Sequence, residues 1–303
     1  MRVVFMGTPS FAVPSLSRLA QAHEPLLVVT RPDAVRGRGR ALVPSPVKER
    51  ALGLGLPVLE TKRVTPEVLE RVAEARPDVI AVAAFGCILP DELLELAPLG
   101  CVNVHGSLLP RWRGAAPIQR AVLSGDERVG ISIMRVVHDL DAGAWCRQAS
   151  VELAEKTCAE LMGELAELGA SELVLALEDI AAGRAVWREQ EPELVSYAAK
   201  IDKAEMLLDP TDGALENRRR VQASLDAAPA RLCLGGKGVR VLDARVSSQE
   251  VEQGQVLVRK GRVFLGCSSG SVELLLVKPD GKREMPASSW ASGLRGSLSW
   301  GVA

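Results

Sequence analysis

Six consecutive residues, Val79-Ile80-Ala81-Val82-Ala83-Ala84, contain no polar position. An amphipathic helix or a half-exposed strand would break such a run with polar residues at a period of 3.6 or 2, so the run predicts a strand covered on both faces, the middle of a parallel sheet. A strand of that kind needs helices on either side. The surrounding sequence offers them in alternation. Arg2 to Met6 reads as a buried strand, Pro14 to Gln21 as a helix with proline in its first turn, and Pro25 to Thr30 as a second strand. Pro46 to Leu54 and Thr65 to Ala75 read as helices, the latter with Thr65 as N-cap and Pro66 at its first position, and Pro57 to Glu60 as a short strand between them. Cys101 to His105 and Gly130 to Val137 supply further strands, Ala115 to Leu123 a helix between them, and Cys158 to Ala182 a long helix. The expectation is an α/β fold with a doubly wound, Rossmann-like, mostly parallel sheet over residues 1–183.

In such sheets ligands bind beyond the carboxyl ends of the strands. Gly7-Thr8, Phe85-Gly86, the Asn103 to Pro110 segment and Asp141 all fall at or just after predicted strand ends. Gly7-Thr8-Pro9-Ser10 is neither a Gly-x-Gly-x-x-Gly nor a Walker A sequence, so nothing here points to a dinucleotide or ATP. The chemistry-bearing segment is Asn103-Val104-His105-Gly106-Ser107-Leu108-Leu109-Pro110. On an extended strand residues i and i+2 share a face, so the Asn103 amide and the His105 imidazole can converge on one small group. An amide N–H can steady a developing oxyanion, and an imidazole can carry protons at neutral pH. Asp141, in Leu140-Asp141-Ala142-Gly143, offers a carboxylate to orient the ring. Together these suit acyl transfer. Taken singly, Asn103 could be a turn residue bonded to its own backbone, and His105 a satisfied interior histidine.

The block from Asn103 to Ile118, with Gly125-Asp126 and Leu140 to Gly143, resembles the 10-formyltetrahydrofolate-dependent formyltransferases, whose pattern is Asn-x-His-x-Ser-Leu-Leu-Pro and a later Asp. Phe5 to Ala12, Gly37-Arg38-Gly39-Arg40, Val43 to Lys48 and Ala84 to Pro90 resemble the branch that formylates initiator methionyl-tRNA. The resemblance implies that Asn103, His105 and Asp141 are catalytic. It implies that 10-formyltetrahydrofolate is a cosubstrate held by Ser107, Leu108, Leu109 and Pro110, by Phe85, Gly86, Cys87, Ile88 and Leu89, and by Val137, His138, Asp139 and Leu140. Formyl transfer to a small amine, such as an amino sugar nucleotide, is the alternative within the family, because those enzymes share the same central motif. A folate-independent RNA-binding module on the same fold is the alternative outside it.

His138 and Asp139 could be drawn with His105 and Asp141 as a metal site, but neither a His-Glu-x-x-His nor a facial-triad spacing is present, and no metal is expected. Six cysteines without a Cys-x-x-Cys pair read as reduced thiols. The apolar runs are too short for a membrane span, and Met1-Arg2 leads straight into a strand, so the expectation is a cytoplasmic, membrane-free protein. No long apolar face is left over, which favours a monomer.

A net charge of −1 provides no global attraction to nucleic acid, so RNA binding would have to come from local patches. The segment Arg31 to Arg40, with glycines at 37 and 39, reads as an exposed basic loop. Arg36, Arg38 and Arg40 are its candidate phosphate contacts, with Arg38 foremost, because guanidinium matches phosphate bidentately. Residues 184–203 are polar and read as a linker. From 204 to 303 a helix carrying Arg218-Arg219-Arg220 precedes short β-rich runs at Ala230 to Leu234, Gly238 to Val246, Gln255 to Arg259, Arg262 to Gly266 and Ser271 to Val277. Closely spaced strands with glycine turns suggest a small barrel. The resemblance implies an OB-like one that binds tRNA, although Val221 to Ala230 replaces the family's aromatic, proline-rich turn.

Overall fold

The structure, a computed structural model, describes residues 1–35, 41–294 and 298–302. The chain divides into two compact units. One comprises Met1–Pro117, Arg128–Glu152 and Met162–Ala198, and the other Ile118–Glu127, Leu153–Leu161 and Ala199–Ala303.

The first unit is built on a seven-stranded sheet. Its order runs from Trp145–Glu152 through Arg128–Arg135, Cys101–His105, Val79–Ala83, Arg2–Gly7 and Glu24–Thr30 to Val58–Glu60. Every residue of Val79–Ala83 is buried, as expected for a strand with parallel neighbours on both sides. The five strands from Cys101–His105 to Val58–Glu60 are parallel, whereas Arg128–Arg135 runs antiparallel to Cys101–His105. The sheet is therefore mixed at one edge. The edge strand Trp145–Glu152 has no assignment in the sequence analysis, because its residues Trp-Cys-Arg-Gln-Ala-Ser-Val-Glu form neither an apolar run nor a clean alternation. Its pairing with Arg128–Arg135 places Gln148 beside Ser132 and Trp145 beside Met134.

Local signals account for the helix starts. Pro46–Gly53 begins with proline after Ser45, whose hydroxyl accepts from the Lys48 N–H. Pro66–Ala75 follows Thr65 and closes at Arg76 in a left-handed conformation. Cys158–Ala181 covers one face of the sheet, and Gly169 sits where a β-carbon would collide with Val104.

The second unit holds a closed antiparallel barrel of six strands. Lys237–Ser247 pairs with Arg231–Leu234, which pairs with Leu298–Gly301, then Gln255–Arg259, Arg262–Gly266 and Ser271–Pro279, and the last returns to Lys237–Ser247. This matches the OB-like expectation and adds Leu298–Gly301, a strand that the sequence analysis leaves unassigned. Leu232, Val241, Leu265, Leu274 and Trp300 fill its interior, and the Trp300 indole N–H donates to the Gly266 carbonyl at 3.0 Å. The departure at Val221 to Ala230 is accommodated without aromatics. Gln222 donates to the carbonyls of Ala154 and Lys156 at 2.9 and 2.7 Å, and the Ala223 carbonyl accepts from Gln119 at 3.0 Å.

Candidate active site

The Cys101–His105 strand is extended and lies between a parallel and an antiparallel neighbour, so Asn103 and His105 project from the same face. Asn103 is partly exposed, and among the described residues its carboxamide has no hydrogen-bond partner. His105 is buried. Its Nε2 lies 3.0 Å from the Trp112 carbonyl oxygen, which can only accept, so the ring hydrogen belongs on Nε2. Nδ1 is then the nitrogen free to gain and lose a proton, and it faces Asp141 Oδ2 at 3.6 Å. That separation is too long for a good hydrogen bond, and it is an ion pair only when the ring carries its second proton.

Asp141 sits in a left-handed conformation with φ +48°. Its Oδ2 also accepts the Gly114 N–H at 2.8 Å. Gly114 itself has φ +118°, and a β-carbon there would approach the Ala198 carbonyl oxygen to 2.9 Å, so glycine is required on two counts. Arg113–Gly114 forms a short parallel ladder with Tyr197–Ala198. Ser196 extends that ladder, accepting the Trp112 N–H on its hydroxyl and the Arg113 N–H on its carbonyl. Part of the polar segment read as a linker is thus stitched to the loop that carries Trp112 and Gly114.

The loop between His105 and Arg113 is anchored by Ser132, which is wholly buried. Its hydroxyl donates to the Ser107 carbonyl at 2.7 Å and accepts from the Leu109 N–H at 3.0 Å and from Gln148 Nε2 at 2.9 Å. Within this loop Ser107 spends its hydroxyl on the Arg111 carbonyl, Leu109 is buried, and Leu108 packs over Gly130. Pro110 follows a cis peptide bond.

Two further predicted loops flank this face. Phe85 is buried, and Gly86, with φ +73°, gives its carbonyl to the Arg31 guanidinium. Cys87 and Leu89 pack partly against the same core cluster as Phe85 and Val136. Ile88, Val137 and Leu140 are left exposed, at 89%, 41% and 64% of their surface. Asp139 is exposed too, and His138 reaches from one loop to Asp91 beside the other, Nδ1 to Oδ1 3.4 Å. Ile88, on the loop after Val79–Ala83, and Val137 and Leu140, on the loop that leads to Asp141, thus leave large apolar surfaces in water. Among the described residues no three metal-ligating side chains come together. Arg36, Arg38 and Arg40 lie outside the described residues.

Residues 1–177 match the formyl transferase family model, and residues 200–295 match the model of the formyl transferase C-terminal domain. The chain belongs to the formyl transferase family. It is 42% identical over 292 residues to the methionyl-tRNA formyltransferase of Methylococcus capsulatus, covering 95% of each chain. It is 43% identical over 299 residues to that of Halorhodospira halophila, covering 97% of this chain and 96% of the relative. Among solved structures, the N-formyltransferase from Helicobacter canadensis, in complex with folinic acid and dTDP-3-aminofucose, superposes with a TM-score of 0.70 at 14% identity, over 93% of this chain and 99% of that one. At that identity the likeness is one of fold.

Sequence reasoning misses Gln190, Ser132, Gly114 and Ser196, the residues that hold this candidate site together. Gly114 stands inside the recognised motif block, but its positive φ is seen only in the structure. The side chains of the others bind backbone groups 23 to 84 residues away, and no local pattern announces such partners.

Proposed function

We propose that this chain transfers the formyl group of 10-formyltetrahydrofolate to the α-amino group of methionine esterified to initiator tRNA. Supporting this reading is the near-full-length similarity to methionyl-tRNA formyltransferases. One geometric observation carries the mechanism: an unpartnered carboxamide and an imidazole backed by a carboxylate share one side of one strand. In the proposed reaction the amine lone pair attacks the formyl carbon, and Asn103 Nδ2 donates to the oxygen as it gains charge. The new C–N bond forms as the bond from the formyl carbon to N10 of the folate breaks. One proton leaves the amine and one reaches N10, with His105 Nδ1 as the group that handles it and Asp141 stabilising the charged ring. No oxidation or reduction is involved.

Ile88, Val137 and Leu140 are the apolar surfaces offered to the flat pterin and aminobenzoate rings, with Leu108 and Pro110 on the motif side. Backbone groups of residues 85–89 and 137–140 supply polar contacts to the pterin edge. Ser107 and Leu109, whose hydroxyl and side chain are already engaged, act by shaping the loop. We assign the transfer chemistry to residues 1–183, the tRNA grip to residues 204–303 and to Arg36, Arg38 and Arg40, and a monomeric state to the whole.

The deciding assay supplies 10-formyltetrahydrofolate with either charged initiator tRNA or an amino sugar nucleotide. Formylmethionyl-tRNA as the product supports the proposal, whereas preferential formylation of the sugar moves the chain to the small-amine branch. Tight tRNA binding without any folate-dependent product would mark it as an RNA-binding module.

A further inference from the structure

Gln190 lies outside every recognised motif and 49 residues from Asp141, yet only 9% of its surface is exposed. Its Nε2 donates to two carbonyl oxygens, those of Asp141 and Gly143, each at 2.8 Å, and its Oε1 accepts from Arg113 Nε at 2.9 Å. A side-chain amide combines two N–H donors with a carbonyl acceptor on one carbon, and every one of those capacities is used here. The two carbonyls bracket the turn in which Asp141 adopts its left-handed φ of +48°. Arg113 in turn precedes Gly114, whose N–H binds the Asp141 carboxylate at 2.8 Å. Both peptide segments that decide where Asp141 Oδ2 sits relative to His105 are therefore held by one side chain.

We propose that Gln190 is a positioning residue for formyl transfer: it sets the Asp141 carboxylate against His105 by clamping the Asp141 to Gly143 turn to Arg113, without touching substrate. The proposal rests on the functional reading above. Alanine at this position leaves two carbonyls and a guanidinium without their partner. Glutamate keeps the size and the acceptor for Arg113 but replaces both donors with an oxygen that repels the carbonyls.

Two measurements on the full chain test it. In the first, kcat and KM are determined for wild type, Gln190→Ala, Gln190→Glu, Asp141→Asn and the double variant Gln190→Ala/Asp141→Asn. Each Gln190 variant is expected to lose about 10- to 100-fold in kcat, the scale of a misplaced catalytic group, while KM for both substrates stays within about twofold, since no ground-state contact is removed. In the Asp141→Asn background Gln190→Ala should cost less than about threefold, because its effect runs through Asp141. A full, additive loss there, or single variants as fast as wild type, overturns the proposal.

The second measurement needs no activity. The chain has three histidines, so the imidazole nitrogen signals of His105 can be assigned by elimination in a 15N-labelled sample. Gln190→Ala and Gln190→Glu should move the Nδ1 signal toward its position in Asp141→Asn. An unmoved signal in a folded variant rejects the clamp. If the signal moves but the wild-type protein makes no formylated product, the formyl-transfer reading fails and the clamp geometry stands.

Discussion

At the residue scale the site depends on how few groups it contains. In the proposed mechanism Asn103 donates to the developing oxyanion beside His105, and the loss of such a donor costs about 10²- to 10³-fold in rate. Asn103→Ala should therefore lower kcat by about two orders of magnitude while folate binding, measured by fluorescence titration, stays near wild type. His105→Ala and Asp141→Ala should fall by a similar factor, since a positioned acid–base group contributes about 10²- to 10⁴-fold. Near-normal turnover in all three would refute the assignment. The convergence of Asn103 and His105 was legible in the sequence because strand alternation fixes it within three residues. Asp141 was legible as a carboxylate just after a predicted strand end, and Gln190 not at all, since a clamp formed across 49 residues leaves no local trace.

At the element scale one buried hydroxyl joins the motif loop to the sheet. Ser132 on Arg128–Arg135 meets Ser107, Leu109 and Gln148 at once. Ser132→Ala would strand the Leu109 N–H, which is buried with its bond, and an unsatisfied buried donor costs about 1 to 3 kcal/mol. Urea denaturation should show a loss of that size with an unchanged m-value, and a loss below about 0.5 kcal/mol would show that the bond contributes little. The barrel has a comparable joint of opposite chemistry. Glu273 on Ser271–Pro279 is buried and lies between Arg262 and Arg245 from the two neighbouring strands. Hydrogen bonds first from Arg262 and then from Arg245 hold its carboxyl below the ordinary glutamate value of 4.5. The unfolded chain then binds a proton at a higher pH than the folded one, so this stabilisation is complete above about pH 4.5 and is lost as the pH falls through the depressed value. Glu273→Gln should lower stability at neutral pH and flatten the acid limb of Tm against pH; an acid limb as steep as wild type would exclude the triad as its source. The strands that form these joints differed in legibility. Val79–Ala83 announced itself through burial on both faces, whereas Trp145–Glu152, an edge strand with mixed side chains, and Leu298–Gly301, only four residues long, gave no periodic signal.

At the scale of the whole molecule, a chain of net charge −1 that binds tRNA as proposed would attract it through local arrangement rather than total charge. About 15 Lys and Arg against about 11 Asp and Glu between residues 203 and 303 give only a slight excess, and several of those cations are already paired, Arg220 with Asp212, Arg231 with Asp280 and Arg240 with Asp226. The run from Arg36 to Arg40 is different in kind. Its flanks are tied down: Ala34–Val35 pairs antiparallel with Leu42–Val43, Lys48 binds both Asp33 and Glu60, and the Thr30 and Ser45 hydroxyls bond each other at 2.7 Å. The residues on either side of that run are thereby held in place. Each phosphate neutralised releases condensed counterions, and losing one contact lowers the slope of log affinity against log salt by about one. Arg38→Ala should raise KM for methionyl-tRNA and flatten its dependence on KCl by about that amount, while KM for 10-formyltetrahydrofolate stays as in wild type. An unaltered salt slope would mean that Arg38 touches no phosphate, and the grip on tRNA would then have to be sought among the exposed cations of the barrel, where Arg259 is the first to substitute.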